Sequence, residues 1–260
     1  MFGKSRGGME KIEIKNVPMH LPRLSPEFTG YRLVQFSDIH MDSFMKREDL
    51  EEIVDLVNRQ EPDLVAITGD FVSNDPYKYA EELAGSLSRL ESTDGVVGVM
   101  GNHDHWVDPE MVREIIAESG IIELSNKIYP IQRGQSTLYI AGIDDYIVRK
   151  DRLEQVLQQL PEDGAAILLA HEPDFADISA KTGRFDLQLS GHSHGGQFNL
   201  PLIGPLYLPR YARKYTSGLY RVNGMIQYTN RGVGKVHIPF RLNSRPEITV
   251  FILTNGSGGD

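Results

Sequence analysis

The sequence predicts an α/β fold in which helices cover sheet faces, with a second, more antiparallel sheet built from the C-terminal part. Three observations carry this. Short apolar, β-branched runs recur along the chain, each ending in polar residues. Between them lie segments with apolar residues at helical spacing. The tail is rich in strand-like runs, "GMIQYTNRG" and "EITVFILT".

Taken in order, "YRLVQFSD" (31–38) is the first buried strand of the alternating set. "KREDLEEIVDLVNRQEPD" follows, where Leu50, Ile53, Val54 and Val57 recur on one helical face. "LVAITGD" (64–70) and "GVVGVMGNHD" (95–104) are the next strands. "DPEMVREIIAESG" supplies a helix with Asp108 as N-cap, Pro109 in the first turn and Gly120 as the stop. "KDRLEQVLQQLPEDG" is a third helix, closed by a proline, before the strands "AAILLAHEP" (165–173) and "LQLSGHSH" (187–194).

The 260 residues suit one domain, 1–260, with loose ends at 1–8 and 256–260. Hydrophobic residues make up 40% and charged residues 24%, a soluble globular composition. No run approaches the roughly 18 apolar residues that span a bilayer, and the N-terminus has basic residues but no apolar signal core. The expectation is a protein that is cytoplasmic or lies peripherally on a membrane surface. Cysteine is absent, which excludes disulfides, thiolate nucleophiles and thiolate metal sites. A net charge of −9 opposes stable nucleic-acid binding, which needs a basic surface.

Six of the eight histidines fall just beyond a predicted strand: His40, His103, His105, His171, His192 and His194. Asp38, Asp70 and Asn102 occupy equivalent positions. Each fragment alone reads as an ordinary turn or a structural histidine. Together, five strand ends deliver Asp-x-His, Gly-Asp, Gly-Asn-His-Asp, His and Gly-His-x-His to one rim, where α/β sheets collect function. Imidazole with carboxylate suits Mn, Fe, Co or Zn, and the donors are too many for one ion. An aspartate shared by two divalent ions, roughly 3.5–4 Å apart, would leave room for a nucleophilic bridging hydroxide and a phosphoryl oxygen. A histidine that is not a ligand could protonate the leaving group.

The ordered set "SDIH", "TGD", "GNHD", "AHEP", "SGHSHGGQ", from about 31 to 194, resembles the calcineurin-like metallophosphoesterase superfamily. That resemblance implies a four-layer α/β/β/α sandwich of two mixed sheets flanked by helices. It also implies one metal held by Asp38, His40, bridging Asp70 and His194, and a second by Asp70, Asn102, His171 and His192. Two divalent transition ions, Mn first among them, are the implied cofactors. His103 is the implied proton donor or transition-state stabiliser, oriented by Asp104. "GDFVS" places Ser73 where purple acid phosphatases carry tyrosine, and "GNHD" replaces the Gly-Asn-His-Glu of Ser/Thr phosphatases, so neither branch is matched.

"GHSHGGQ" with "KYTSGLY", "TNRGVG" and "RLNSRPEITVFIL" is similar to the bacterial YaeI/YkuE-type phosphodiesterases. That group resembles the LpxG-type UDP-2,3-diacylglucosamine pyrophosphatases of lipid A synthesis. The expected substrate is therefore a phosphodiester or pyrophosphate, with a lipid-linked nucleotide as the narrower reading. A cyclic-nucleotide phosphodiesterase or nuclease, and a non-catalytic scaffold with this fold, are the alternatives.

His105, Trp106 and Arg231 are candidates for substrate contact, each with packing or a plain surface position as the competing reading. His20 and His237 read as ordinary residues. The segment "LPLIGPLYLPRYARKY" (200–215) joins apolar residues and prolines to Arg210, Arg213 and Lys214. It is either a loop packed on the domain or a contact with a membrane surface or acyl chain.

Overall fold

Two six-stranded mixed sheets face one another in the computed structural model, which describes residues 11–255. The ends expected to be loose, 1–8 and 256–260, lie outside the described residues. The chain runs through β1 (Glu13–His20), β2 (Arg32–Phe36), α1 (Arg47–Asn58), β3 (Leu64–Thr68), α2 (Pro76–Leu87), β4 (Val96–Val99), α3 (Asn102–Val107), α4 (Pro109–Glu118) and β5 (Ile122–Glu123). It continues through β6 (Lys127–Arg133), β7 (Ser136–Gly142), α5 (Leu153–Gln159), β8 (Ala166–Leu169), α6 (Ala176–Ser179), β9 (Leu187–Ser190), β10 (Asn199–Leu200), β11 (Gly204–Pro205), β12 (Gly218–Val222), β13 (Met225–Thr229) and β14 (Glu247–Thr254).

The first sheet has the order β1-β14-β2-β3-β4-β5 and the second β12-β13-β9-β8-β7-β6. The tail strands do not build a sheet of their own. β14 inserts into the first sheet, antiparallel to β2, and β13 joins the second, parallel to β9. Each is as buried as a central strand, so each fills a gap in a sheet that already has a core face.

Alternation along the strands creates the layers. In β2, Leu33 enters the core between the sheets while Val34 and Phe36 enter the core beneath the helices. The middle layer joins Leu33, Leu64 and Val97 of the first sheet to Leu138, Ile140 and Ile167 of the second. Burying each such side chain contributes about 1.5–3 kcal/mol. α1 packs Leu50, Ile53, Val54 and Val57 on the outer face of the first sheet. α4 is capped by the Asp108 carboxylate, which accepts the Met111 N–H at 3.1 Å. α5 and α6 cover the second sheet through Val156 and Ala176. The result is the expected α/β/β/α sandwich.

Polar bridges also cross the middle layer, one of them at the end where the candidate site lies. Gln35 donates to Thr68 Oγ1 at 2.9 Å and to the Ser190 carbonyl at 3.0 Å. It brings the carboxyl ends of β2, β3 and β9 together, where the candidate site begins.

Candidate metal centre

Every candidate ligand lies just past the carboxyl end of a strand or of its loop. Asp38 and His40 follow β2, Asp70 follows β3, and Asn102 opens α3 after β4. His171 follows β8, and His192 and His194 follow β9. The first four come from one sheet and the last three from the other. Backbone bonds lock the loops together: Asp38 N–H to Gly69 O and His40 N–H to Asp70 O, both at 3.0 Å, and Gly191 N–H to His171 O, also at 3.0 Å.

Five of these residues, Asp38, His40, Asp70, His192 and His194, have φ between 49° and 67°. Non-glycine residues rarely adopt that region, and each such residue costs on the order of 1 kcal/mol. Concentration of this strain at one buried cluster makes it the candidate functional site. In the "GHSHGG" run, a Cβ at Gly191 would overlap the Ser37 hydroxyl and the Asp38 carboxylate. Gly195 has φ +57°, and a Cβ there would lie 2.7 Å from Ser244 Oγ, whose hydroxyl donates to the His194 carbonyl. Both glycines are required by close approach.

The donors converge. His40 Nε2 lies 3.1 Å from His194 Nε2 and 3.4 Å from Asp70 Oδ2. Asp38 Oδ1 is 3.4 Å from His194 Nε2. On the other side of Asp70, the same Oδ2 lies 3.2 Å from His171 Nε2, which is 3.2 Å from His192 Nδ1. Ligands held about 2.1 Å from one ion stand roughly 3.0–3.4 Å apart at octahedral or tetrahedral angles. The spacing therefore fits metal ions on both sides of Asp70.

Tautomers support the fit. His171 Nδ1 donates to the Thr68 carbonyl at 2.7 Å and His192 Nε2 to the Arg210 carbonyl at 2.9 Å. Their opposite nitrogens are left to face each other and Asp70, as metal-ligating histidines require. Among the described residues, the buried Asn102 Oδ1 has no hydrogen-bond partner. An oxygen in that state costs about 1–3 kcal/mol unless something else satisfies it.

Electrostatics point the same way. Burial pushes His40 and His192 down to about 3, which keeps them neutral with lone pairs available. Burial lifts Asp38 to about 6. Burial opposes ionisation of both members of the Asp70–His171 pair, yet their mutual attraction holds Asp70 well below the usual carboxylate range and His171 well above neutrality.

His103 is partly exposed, packs edge-on against His40 at 4.8 Å and lines the cavity that opens from the cluster. Its backbone N–H donates to Asp70 Oδ1 at 2.9 Å. His40, Asp70 and His103 also lie close enough to offer donor atoms to one ion. Asp104 does not orient the His103 ring. Its Oδ1 accepts the N–H groups of Phe71 and Val72 and its Oδ2 that of Gly101, so it fixes the Asp70 loop against α3.

Two expected substrate contacts lie elsewhere. His105, two residues beyond His103 and so on the opposite face of α3, buries its ring against Asp144 at 2.6 Å, with Arg113 beside it. Arg231 pairs with Glu13 and Glu247, both at 2.5 Å, and is absent from the cavity wall. Two carboxylates neutralise it.

The cavity has a volume of about 770 Å³, with Asp70, Asn102, His192 and His194 at its floor. Trp106 does line it, as does His237, which reads as ordinary in the sequence. The walls include the apolar Phe198, Leu206, Pro209, Val236 and Ile238 with Tyr207, and the polar Ser193, Gln197 and Arg210. Arg241 was not singled out by sequence. Its guanidinium sits 3.1 Å from His194 Nδ1 and donates to the carbonyls of Gly234 and Arg231. Nothing in a local motif signals a contact between residues 47 positions apart.

Imidazoles, carboxylates and an amide gathered at the strand ends of a two-sheet sandwich define a hydrolase acting on phosphoesters. The pattern of the calcineurin-like phosphoesterases matches residues 31–196, and the chain belongs to that family. It is 35% identical to the metallophosphoesterase YkuE of Bacillus subtilis over 87% of this chain and 80% of that one. It is 29% identical to phosphodiesterase YaeI of Escherichia coli, over 86% of this chain and 82% of that one. A transmembrane protein with a metallophosphoesterase domain from Danio rerio is 34% identical over 93% of this chain, which spans 57% of that protein. Among solved structures, the sulfate thiohydrolase SoxB of Thermus thermophilus superimposes with a TM-score of 0.53 at 14% identity, over 81% of this chain and 53% of that one. That likeness concerns the fold.

Proposed function

We propose that this chain is a dinuclear metal-dependent phosphodiesterase or pyrophosphatase. One ion would be held by Asp38, His40, Asp70 and His194, the other by Asp70, Asn102, His171 and His192. The observation that carries the reading is the position of Asp70 Oδ2, within 3.4 Å of a histidine nitrogen on each side. Two divalent cations there, Mn first with Fe, Zn or Co as alternatives, would supply an ionised water at neutral pH and neutralise charge on the phosphoryl oxygens. The chain's own part is to gather the donors in a buried cleft, with His40 and His192 held neutral and Asp70 anionic, to admit the phosphoryl group over Asn102, and to present the His103 imidazole to the departing oxygen.

The narrower reading is a lipid-linked substrate such as UDP-2,3-diacylglucosamine. The apolar walls of the cavity support it. So does the loop 200–209, where Leu202, Ile203, Leu206 and Tyr207 are exposed beside Arg210, a composition suited to an anionic membrane surface. Among the described residues no helix is long and apolar enough to cross a membrane.

Protein stripped of metal and refilled with Mn is expected to bind two ions per chain and to hydrolyse bis(4-nitrophenyl) phosphate. Asp70→Ala should abolish both. Inert refilled protein, unaffected by that substitution, rejects the enzyme reading. Failure to cleave UDP-diacylglucosamine in mixed micelles, with soluble diesters cleaved well, rejects the lipid-linked one.

A further inference from the structure

Gln197 ends the "GHSHGGQ" run and is buried, with φ 45°. Gln197 itself lines the cavity, and its side-chain amide is spent on one neighbouring segment. Oε1 accepts the Val236 N–H at 3.0 Å, and Nε2 donates to the carbonyls of Val236, Ile238 and Phe240 at 3.0, 3.2 and 3.4 Å. Its backbone carbonyl accepts the Leu242 N–H at 2.8 Å. Residues 236–240 form no helix or strand, so most of their backbone groups need partners from outside, and the two N–H groups of a single amide are shared among three of their carbonyls.

That segment is one wall of the cavity above the cluster, presenting Val236, His237 and Ile238. Phe240 packs edge-on at 4.9 Å against Phe198, which lines the cavity. Leu206 and Tyr207 stand among the other lining residues. The floor is the candidate metal site. A phosphoryl group on that floor would direct an attached apolar chain between these side chains.

We propose that Gln197 is a positioning residue for substrate specificity: its amide holds residues 236–240 as the wall that receives the apolar portion of a phosphoester. This deepens the lipid-linked reading above and rests on a phosphoryl group occupying the cavity floor. The amide, not the bulk of the side chain, carries the role, so an isosteric side chain without hydrogen-bonding groups should not replace it.

Trp106 is the sole tryptophan of the chain and lines the cavity, so its fluorescence reports occupancy without turnover. Mn-loaded protein is titrated with inorganic phosphate and with butyl, hexyl and octyl phosphate. In the wild type Kd should fall by up to about fourfold for each methylene that becomes buried. Gln197→Met should lower the affinity ratio of octyl phosphate to inorganic phosphate by about tenfold or more. Ile238→Ala, which leaves the amide's backbone partners in place, should lower it too. Wild-type affinity independent of chain length overturns the proposal, as does a Gln197→Met ratio equal to wild type or a parallel loss of both affinities. Hydrolysis of bis(4-nitrophenyl) phosphate is measured separately. Its absence, with the chain-length effect present and sensitive to Gln197, counts against the phosphoesterase reading and not against this one.

Discussion

The Nε2 atoms of His40 and His194 lie 3.1 Å apart with their rings stacked, one imidazole delivered by each sheet. Two neutral imidazoles share at most one proton across such a contact, whereas a divalent cation accepts both lone pairs. His40→Ala and His194→Ala should each lower Mn affinity at one of two sites. In a double-mutant cycle read by calorimetry, the double variant should lose little more than either single one, because either change breaks the same ion's shell. Additive losses would show that the two histidines act on separate ions.

Metal loading should release protons. Without metal, Asp38 is lifted to about 6 by burial. His171 is pushed well above its ordinary value, burial opposing but Asp70, Asp38 and Glu172 prevailing. Protons on both must leave when a cation binds, so affinity falls as pH is lowered from 7.5 to 5.5. His40 and His192, held near 3, add nothing to that slope above about pH 4. Calorimetry in buffers of different ionisation enthalpy should find about one proton or more released per chain near pH 6.5. Affinity that is flat with pH would contradict the assignment.

His103→Gln separates two roles for this side chain. If His103 protonates the leaving group, kcat falls about a hundred- to ten-thousand-fold while metal content stays at the wild-type level. The loss should be smaller for a 4-nitrophenolate leaving group, which needs little protonation, than for an alkyl one. A drop in bound metal would instead make it a ligand with His40 and Asp70.

Gly191→Ala places a methyl group against the Ser37 hydroxyl and the Asp38 carboxylate. Either the "GHSH" turn or the Asp38 loop must shift, which moves His192 and His194 relative to Asp38. We expect Mn affinity to fall at least tenfold and the melting temperature of the metal-free protein to fall by several degrees, from overpacking of about 1–3 kcal/mol. Unchanged metal affinity would show that the turn is not tightly seated.

Much of the fold and the cluster was legible because their signals are local. The apolar strands and the polar residues that end them lie within a few positions of one another, and α1 and α4 announce themselves by periodicity and by Asp108. What escaped depends on distant partners. The destination of β14 follows from which sheet has room beside β2, not from its own residues. α2 has little signature in sequence although Asp75 caps it, since Gly85 and the mixed pattern of "PYKYAEELAGSL" weaken its periodicity. His105 and Arg231 look like candidates by composition alone, yet carboxylates remote in sequence claim both. Arg241 and Gln197 carry no motif for the contacts that matter.

The ligands divide between the sheets, and each proposed ion draws on both: Asp38, His40 and Asp70 with His194, and Asp70 and Asn102 with His171 and His192. The ions would then be rivets through the seam as well as reagents. A metal-starved chain would keep its two halves joined at this end by hydrogen bonds such as Gln35 to the Ser190 carbonyl, His171 to the Thr68 carbonyl, the His192 N–H to the Asp38 carboxylate and the Val233 N–H to the Ser37 carbonyl. Its seam would open more often to proteases, so the cell's metal supply would set how long each molecule survives as well as how fast it works.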